Sequence, residues 1–335
     1  MSRFNHLLRG GALLAALTAS LACADQVTDA PAPAGLQAPR ANATAAAPIV
    51  NLRVMIDTVT RGLIENGTGA YDVPSAGALD TFALAIDAVL AGDPAGADQM
   101  LDRYGYDVVS IIEATNMDSL VVFRERIPSG GDVPLGWGTY VYNPQAQTEA
   151  QVHANHPVDD QHSEDVAGDL FRGARARWFL MAGARRAANA DGSADMARVT
   201  NSVFHRVHTE VAAPGTRALS IHGFRIENHA GELPADAELV LSTGRSTAVD
   251  DPVYGPVETD LRSDLVAADF VAGLSERDPG YDALAGTLNP QGRHSNDTLG
   301  FGRWIHIEHE RSLRNDSTAW KQSNAVIRQW IIDHP

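Results

Sequence analysis

AQVHANHPVDDQHSEDVAGDLF, residues 150–171, decides the fold. It reads as a strand ending near His156, where Pro157 stops the ladder, then a polar loop, then a helix. Ser163 takes the N-cap position of that helix, and Glu164 and Asp165 fall in its first turn, where the helix dipole favours acids. His156 and Glu164 therefore flank one loop. Glu164 apart, His153 and His162 compete with His156, because a small shift in the strand end exchanges the histidines across the pleat.

The pattern continues on both sides. After the helix over 164–173 come a strand in RWFLMAG (177–183), a helix over 195–211 and an apolar strand, RALSIHGF (217–224), which carries His222 near its end. Downstream lie a strand in ELVLSTG (238–244), a helix in LRSDLVAADFVAGLSE (261–276) and a closing helix over 317–334 that buries Trp320, Ile327, Trp330 and Ile331. Upstream, DVVSIIEA, SLVVFRE and GTYVYNP are short β-rich runs bounded by turn residues, and residues 50–103 hold two helices. Such alternation predicts an α/β fold: a mixed, largely parallel sheet with helices on both faces and an N-terminal helical layer. Sites in such sheets gather at strand ends.

GRWIHIEHERSLR (302–314) supplies a further strand. Its period of two places Trp304, His306, Glu308 and Glu310 on one face and Ile305, Ile307 and His309 on the other. A face of that kind borders a pocket or, as an edge strand, meets water. His156, Glu164, His222 and Glu308 together meet what a hydrolytic zinc site needs: ligands from separate elements, an open position, and a carboxylate to accept a proton from water. Glu310 shares the face of Glu308 and stands as its alternative. His205 and His208, at i and i+3 of the helix over 195–211, could bind one metal together but more simply flank its valine stripe.

Cys23 is the only cysteine, so the chain has no internal disulfide, and any zinc site is built from His, Asp and Glu. It follows Arg3, Arg9 and the short apolar run GALLAALTASLA. That arrangement predicts a signal peptide over 1–22, lipidation at Cys23 and an Ala/Pro-rich tether over 23–48, giving an exported envelope protein that meets membrane only through its anchor. A helical region over 49–105 and an α/β catalytic domain over 106–335 complete the expected organisation. The net charge of −16 disfavours nucleic acid as a partner. Lys321 is the only lysine, and an acidic protein acting on a carboxylate-bearing small molecule or peptide needs arginine in its pocket. Arg245 in STGRST and Arg293 in NPQGRHS each follow glycine in what read as loops, and Arg185 and Arg186 are further candidates. There is no G-x-G-x-x-G, P-loop or G-x-S-x-G, which removes motif support for nucleotide binding and serine esterase chemistry.

IEHERSLR (307–314), with Glu308, Arg311 and Leu313 spaced E-x-x-R-x-L, resembles the late motif of the N-formylglutamate amidohydrolase family. HANHP, HSED, FLMAGARRAAN and SIHGF are similar to segments of the wider zinc exopeptidase-like group, which includes poly-γ-glutamate hydrolases and zinc carboxypeptidases. The resemblance spans roughly residues 105–320. It implies His156, Glu164 and His222 as zinc ligands, Glu308 as general base, and cleavage of an amide bond near a carboxylate. Eight residues separate His156 from Glu164 where zinc carboxypeptidases use H-x-x-E, which weighs against carboxypeptidase activity more than against metal binding. A non-catalytic envelope lipoprotein that binds a ligand is the alternative from another class.

Overall fold

The structure, a computed structural model, describes residues 46–126, 134–244, 256–300 and 302–334. Ala46–Pro335 form one compact unit. Its strands are β1 (Ile49–Val50), β2 (Tyr106–Glu113), β3 (Ser119–Glu125), β4 (Thr139–Tyr142), β5 (Thr148–Ala154), β6 (Ala176–Met181), β7 (Arg217–Phe224), β8 (Leu239–Ser242), β9 (Ala272–Leu274) and β10 (Trp304–Glu310). Its helices are α1 (Leu52–Thr60), α2 (Ala76–Leu90), α3 (Pro94–Leu101), α4 (Ser163–Gly173), α5 (Val203–Glu210), α6 (Pro256–Ala267), α7 (Pro290–Thr298), α8 (Arg311–Asn315) and α9 (Ser317–Asp333).

All ten strands join one sheet in the order β1-β2-β3-β4-β6-β5-β7-β10-β8-β9. The central run β6-β5-β7-β10 is parallel, and an antiparallel meander, β2-β3-β4, extends one side. Alternation along the strands sends successive side chains to two faces. Leu219, Ile221, Ile305 and Ile307 point into a core shared with α1, α4, α6 and α9. On the other face, Phe123, Tyr140, Trp178 and Leu180 pack under α2 and α5. That second apolar core stops short of β7 and β10, whose residues on the same side, Ser220, His222, His306 and Glu308, are polar and buried.

Helices covering both faces of a mixed sheet match the sequence-based expectation, but the details differ: residues 50–103 hold three helices, α1 to α3, rather than two, and three further elements depart from the reading. Residues 261–276 do not stay helical: Asp269 adopts φ +68°, the chain turns with Phe270 N–H donating to Leu265 C=O at 3.0 Å, and Ala272–Leu274 pair with β8 as β9. The helix expected over 195–211 starts only at Val203, where Ser202 Oγ caps His205 N–H at 3.1 Å. NPQGRHS is a helix start rather than a loop. Asn289 Oδ1 accepts from Gln291 and Gly292 N–H, and Pro290 occupies a position that lacks a helical partner anyway.

Strand β10 lies inside the sheet, between β7 and β8, and every residue in it is buried. Its parallel register with β7 sets Glu308 beside His222 and His306 beside Ser220. Arg314 then ties the carboxyl ends together. Its guanidinium donates to His309 C=O of β10 at 3.0 Å, to Phe224 C=O of β7 at 3.1 Å, and to Gln161 C=O in the loop after β5. Gly223 is what lets it lie there: a Cβ at that position would come within 2.2 Å of the Arg314 Cζ.

Candidate metal centre

His156 follows β5, and its backbone carbonyl accepts from Asp160 N–H at 3.0 Å, so the loop closes on itself within one turn. That closure brings Asp160 back beside the His156 ring. Across the neighbouring strand, His222 comes up from β7, its ring centroid 4.8 Å from that of His156. His156, Asp160 and His222 are all buried and each offers a ligand atom within 4.8 Å of the others, the spacing of a first coordination sphere. Asp160 Oδ2 lies 3.3 Å from His156 Nδ1 and 3.0 Å from His222 Nδ1, while its Oδ1 pairs with the Arg186 guanidinium.

The outer ring nitrogens are also held. His156 Nε2 lies 2.7 Å from Asp195 Oδ1, and His222 Nε2 lies 3.1 Å from Ser220 Oγ. Partners of that kind orient metal-binding imidazoles and set their tautomers. The electrostatics follow from crowding. Burial alone would lower the His156 pKa, but Asp160 and Asp195 hold it above its ordinary value. Burial and the adjacent His306 press His222 down to about 4, against the pull of Asp160. Asp160, despite a burial that works the other way, is held well below the usual carboxylate range by the two histidines.

Buried atoms without a hydrogen-bond partner here include His156 Nδ1, His306 Nδ1 and Glu308 Oε2. Buried polar groups are nearly always satisfied, so orphans beside a two-imidazole, one-carboxylate cluster mark a place where a cation fits. The cluster lies in a cleft of about 480 Å³ that Glu308, His306 and Arg314 also line. Glu308 Oε1 lies 2.9 Å from His306 Nε2, and the His306 ring packs against His222 at 4.6 Å between centroids. Against the effect of burial, His306 holds the Glu308 carboxyl below its ordinary pKa.

The sequence-predicted residues fall into three groups. His156, His222 and Glu308 come together. Glu164 does not join them: its carboxylate accepts from Val158 N–H at 3.1 Å and braces a loop in which Val158 has φ +69° and His162 φ +68°. Asp160 occupies the place expected for it. Glu310 caps α8 through Ser312 N–H and Oγ, which leaves Glu308 as the carboxylate beside the cluster. His153 lies deeper in the core, 3.1 Å from Gln151 Oε1, and His162 contacts Asp165 at the surface. His205 and His208 belong to a separate histidine group with His153 and His294.

Arg293 donates to Thr287 C=O on the exposed side of α7 and does not line the cleft. Arg185 pairs with Glu65 and Asp159, and Arg186 with Asp160. Arg186 does line the cleft, as does Arg314, and two further arginines line it, Arg198 and Arg225, both exposed and without a carboxylate partner among the described residues. Arg245 and Cys23 lie outside the described residues. Asp160, Asp195, His306, Arg198 and Arg225 were missed from sequence. Cues existed for two of them: His306 shares the strand face of Glu308, and Asp160 is a second acid four residues after His156, in a loop that Pro157 forces to turn.

No protein-family model matches the chain, and no curated protein does either. Partial structural similarity exists to a zinc-free YndL (15% identity, TM-score 0.35, covering 57% of this chain and 87% of that one). A bacteriophage poly-γ-glutamate hydrolase gives 6% identity and a TM-score of 0.34, covering 57% and 86%. A metallo-carboxypeptidase from Burkholderia cenocepacia gives 12% identity and 0.33, covering 73% and 68%. Two of these bear the names of groups whose motifs the sequence resembles, but similarity of this size carries no argument about activity.

Purified protein supplied with divalent cations is expected to retain about one ion per chain. Asp160→Ala and His222→Ala are expected to lose it, while Glu164→Gln keeps it and becomes less stable. Elemental analysis of the three variants decides between ligand sets: full metal in Asp160→Ala with loss in Glu164→Gln would restore the assignment made from sequence.

Proposed function

We propose that the protein is a zinc-dependent hydrolase that cleaves an amide bond close to a carboxylate of its substrate, such as an N-acylamino acid, a γ-glutamyl chain or a cell-wall peptide. The observation that carries this reading is the pairing of the His156–Asp160–His222 group with Glu308, whose Oε2 is buried, unpartnered and in the wall of the same cleft. Two imidazoles and one carboxylate are a ligand set suited to zinc in a catalytic site, which leaves a position open to substrate. When bound there, zinc supplies a Lewis acid for the scissile carbonyl and lowers the pKa of a water.

The chain's own groups do the rest. Glu308 takes a proton at Oε2 and returns it to the leaving amine, while His306, 2.9 Å from Oε1, fixes the carboxylate in place. Asp195 and Ser220 hold the outer nitrogens of the two imidazoles, so neither ring rotates away from the cleft. Arg186 neutralises the second oxygen of Asp160. That Arg198 and Arg225 line the cleft with no acidic partner among the described residues supports a role for them in receiving the substrate carboxylate. In a chain of net charge −16, unpaired arginines at a cleft are a local exception to the overall field, and they would attract an anion that the rest of the surface repels.

Turnover of a panel of N-acylamino acids and γ-glutamyl peptides tests the reading. Glu308→Gln should keep fold and metal but lose about 10²- to 10⁴-fold in rate. Arg198→Ala and Arg225→Ala should mainly raise KM for carboxylate-bearing substrates. A zinc-loaded wild type inert toward every member of the panel would favour the ligand-binding lipoprotein instead.

Export to the cell envelope with a lipid on Cys23 belongs to the same proposal, supported by the apolar run before that cysteine. Detergent partitioning should place the wild type in the detergent phase and Cys23→Ser in water; equal aqueous recovery of both removes the anchor.

A further inference from the structure

Beneath the cleft, polar side chains run through the interior where an apolar core would be expected. Ser220 of β7, Asn155 after β5 and Gln291 of α7 are each at most 1% exposed. Burying hydroxyl and amide groups is costly unless each is paired, and a fully paired network is correspondingly specific. Here the pairs form a line. Ser220 Oγ–H donates to Asn155 Oδ1 at 2.7 Å. Asn155 Nδ2–H donates to Gln291 Oε1 at 3.3 Å, and Gln291 Nε2 lies 3.4 Å from His205 Nδ1, near the surface.

Direction is the informative property of this line. A serine hydroxyl has one hydrogen, and Ser220 gives it to Asn155. Toward His222 Nε2, 3.1 Å away, Ser220 Oγ can therefore only accept, so the proton of the His222 ring must sit on Nε2. His222 Nδ1 is then a bare lone pair facing Asp160 Oδ2 at 3.0 Å. Two electron-rich atoms at that distance repel unless a proton or a metal cation lies between them.

We propose that Ser220, Asn155 and Gln291 form a one-way donor chain that fixes the Nε2–H tautomer of His222 and so reserves its Nδ1 for the metal. They are positioning residues, acting on the cation only through His222. His205 ends the chain by accepting at Nδ1, and it keeps the Gln291 amide, and through it Asn155, from turning over. This deepens the metal reading above and rests on it.

Zinc affinity of the full chain, measured by competition with a chromophoric chelator, tests the proposal without reference to activity. Asn155→Leu removes the acceptor for the Ser220 hydroxyl, which can then turn toward His222 Nε2 and favour the wrong tautomer. Affinity should fall about 10- to 100-fold, as for other outer partners of metal-bound histidines. Asn155→Asp keeps an oxygen facing Ser220 and should bind zinc close to wild type, although its buried charge lowers the melting temperature. A merely structural role reverses that order, since aspartate disturbs the interior more than leucine does. Ser220→Ala, the milder second variant, should weaken zinc as Asn155→Leu does. Equal affinity in wild type, Asn155→Leu and Ser220→Ala, or weaker binding in Asn155→Asp than in Asn155→Leu, overturns the proposal while leaving the metal centre standing. A wild type that binds no zinc at all overturns both.

Discussion

Asp160 Oδ2 meets a ring nitrogen of His156 at 3.3 Å and one of His222 at 3.0 Å in a buried setting, and the surrounding structure is arranged around that meeting. Three acceptor-rich atoms turned toward one point are unfavourable without positive charge among them. Arg186 supplies part of it at Asp160 Oδ1, and a proton shared with His156 can supply part, in keeping with its raised pKa. A divalent cation would supply all of it. Asp195 on one ring and Ser220 on the other then have a common purpose: they occupy the outer nitrogens so that the inner ones stay turned toward the point of convergence.

The sheet makes this convergence possible at modest cost. Parallel pairing of β5, β7 and β10 brings three carboxyl ends to one edge, and the β7–β10 register sets Glu308 against His222. The opposite face of the same strands carries Leu219, Ile221, Ile305 and Ile307, whose burial against α4 and α9 anchors the strands that bear the polar groups. Full burial of such a side chain contributes about 1.5–3 kcal/mol, so a few of them offset the cost of interior polar atoms. Arg314 binds the ends together through three backbone carbonyls. It immediately follows Leu313, the last residue of the E-x-x-R-x-L spacing, and ties that segment to the loop holding Asp160.

Much of this was legible in the chain itself, for identifiable reasons. Alternating periods of two and 3.6 revealed the α/β order, and Pro157 marked the end of the β5 segment; Ser163, read as the N-cap of α4, is instead its first helical residue, behind an N-cap at His162 in the left-handed region. His156, His222 and Glu308 stood out because they sit at or near the ends of apolar strands. What was hidden depends on loop closure and on contacts between distant segments. Asp160 in the loop and Glu164 in the first turn of α4 are four positions apart; only the turn that returns Asp160 N–H to His156 C=O selects between them. Arg293 read as a loop residue because Gly292 precedes it, whereas Asn289 and Pro290 start a helix there. Arg225 directly follows SIHGF, and Asp195 and Arg198 lie a few residues beyond FLMAGARRAAN, but only the fold brings them to the cleft; likewise only the fold aligns the donor chain, which links residues from β7, the end of β5, α7 and α5.

The central claim is that one cation sits among His156, Asp160 and His222, and anomalous diffraction at the zinc absorption edge from zinc-soaked crystals tests it most directly. The account predicts one strong peak at about 2.0–2.2 Å from His156 Nδ1, His222 Nδ1 and an Asp160 oxygen. A peak bound instead by Glu164, or by the His205–His208–His294 group, or no peak at saturating zinc, would contradict it.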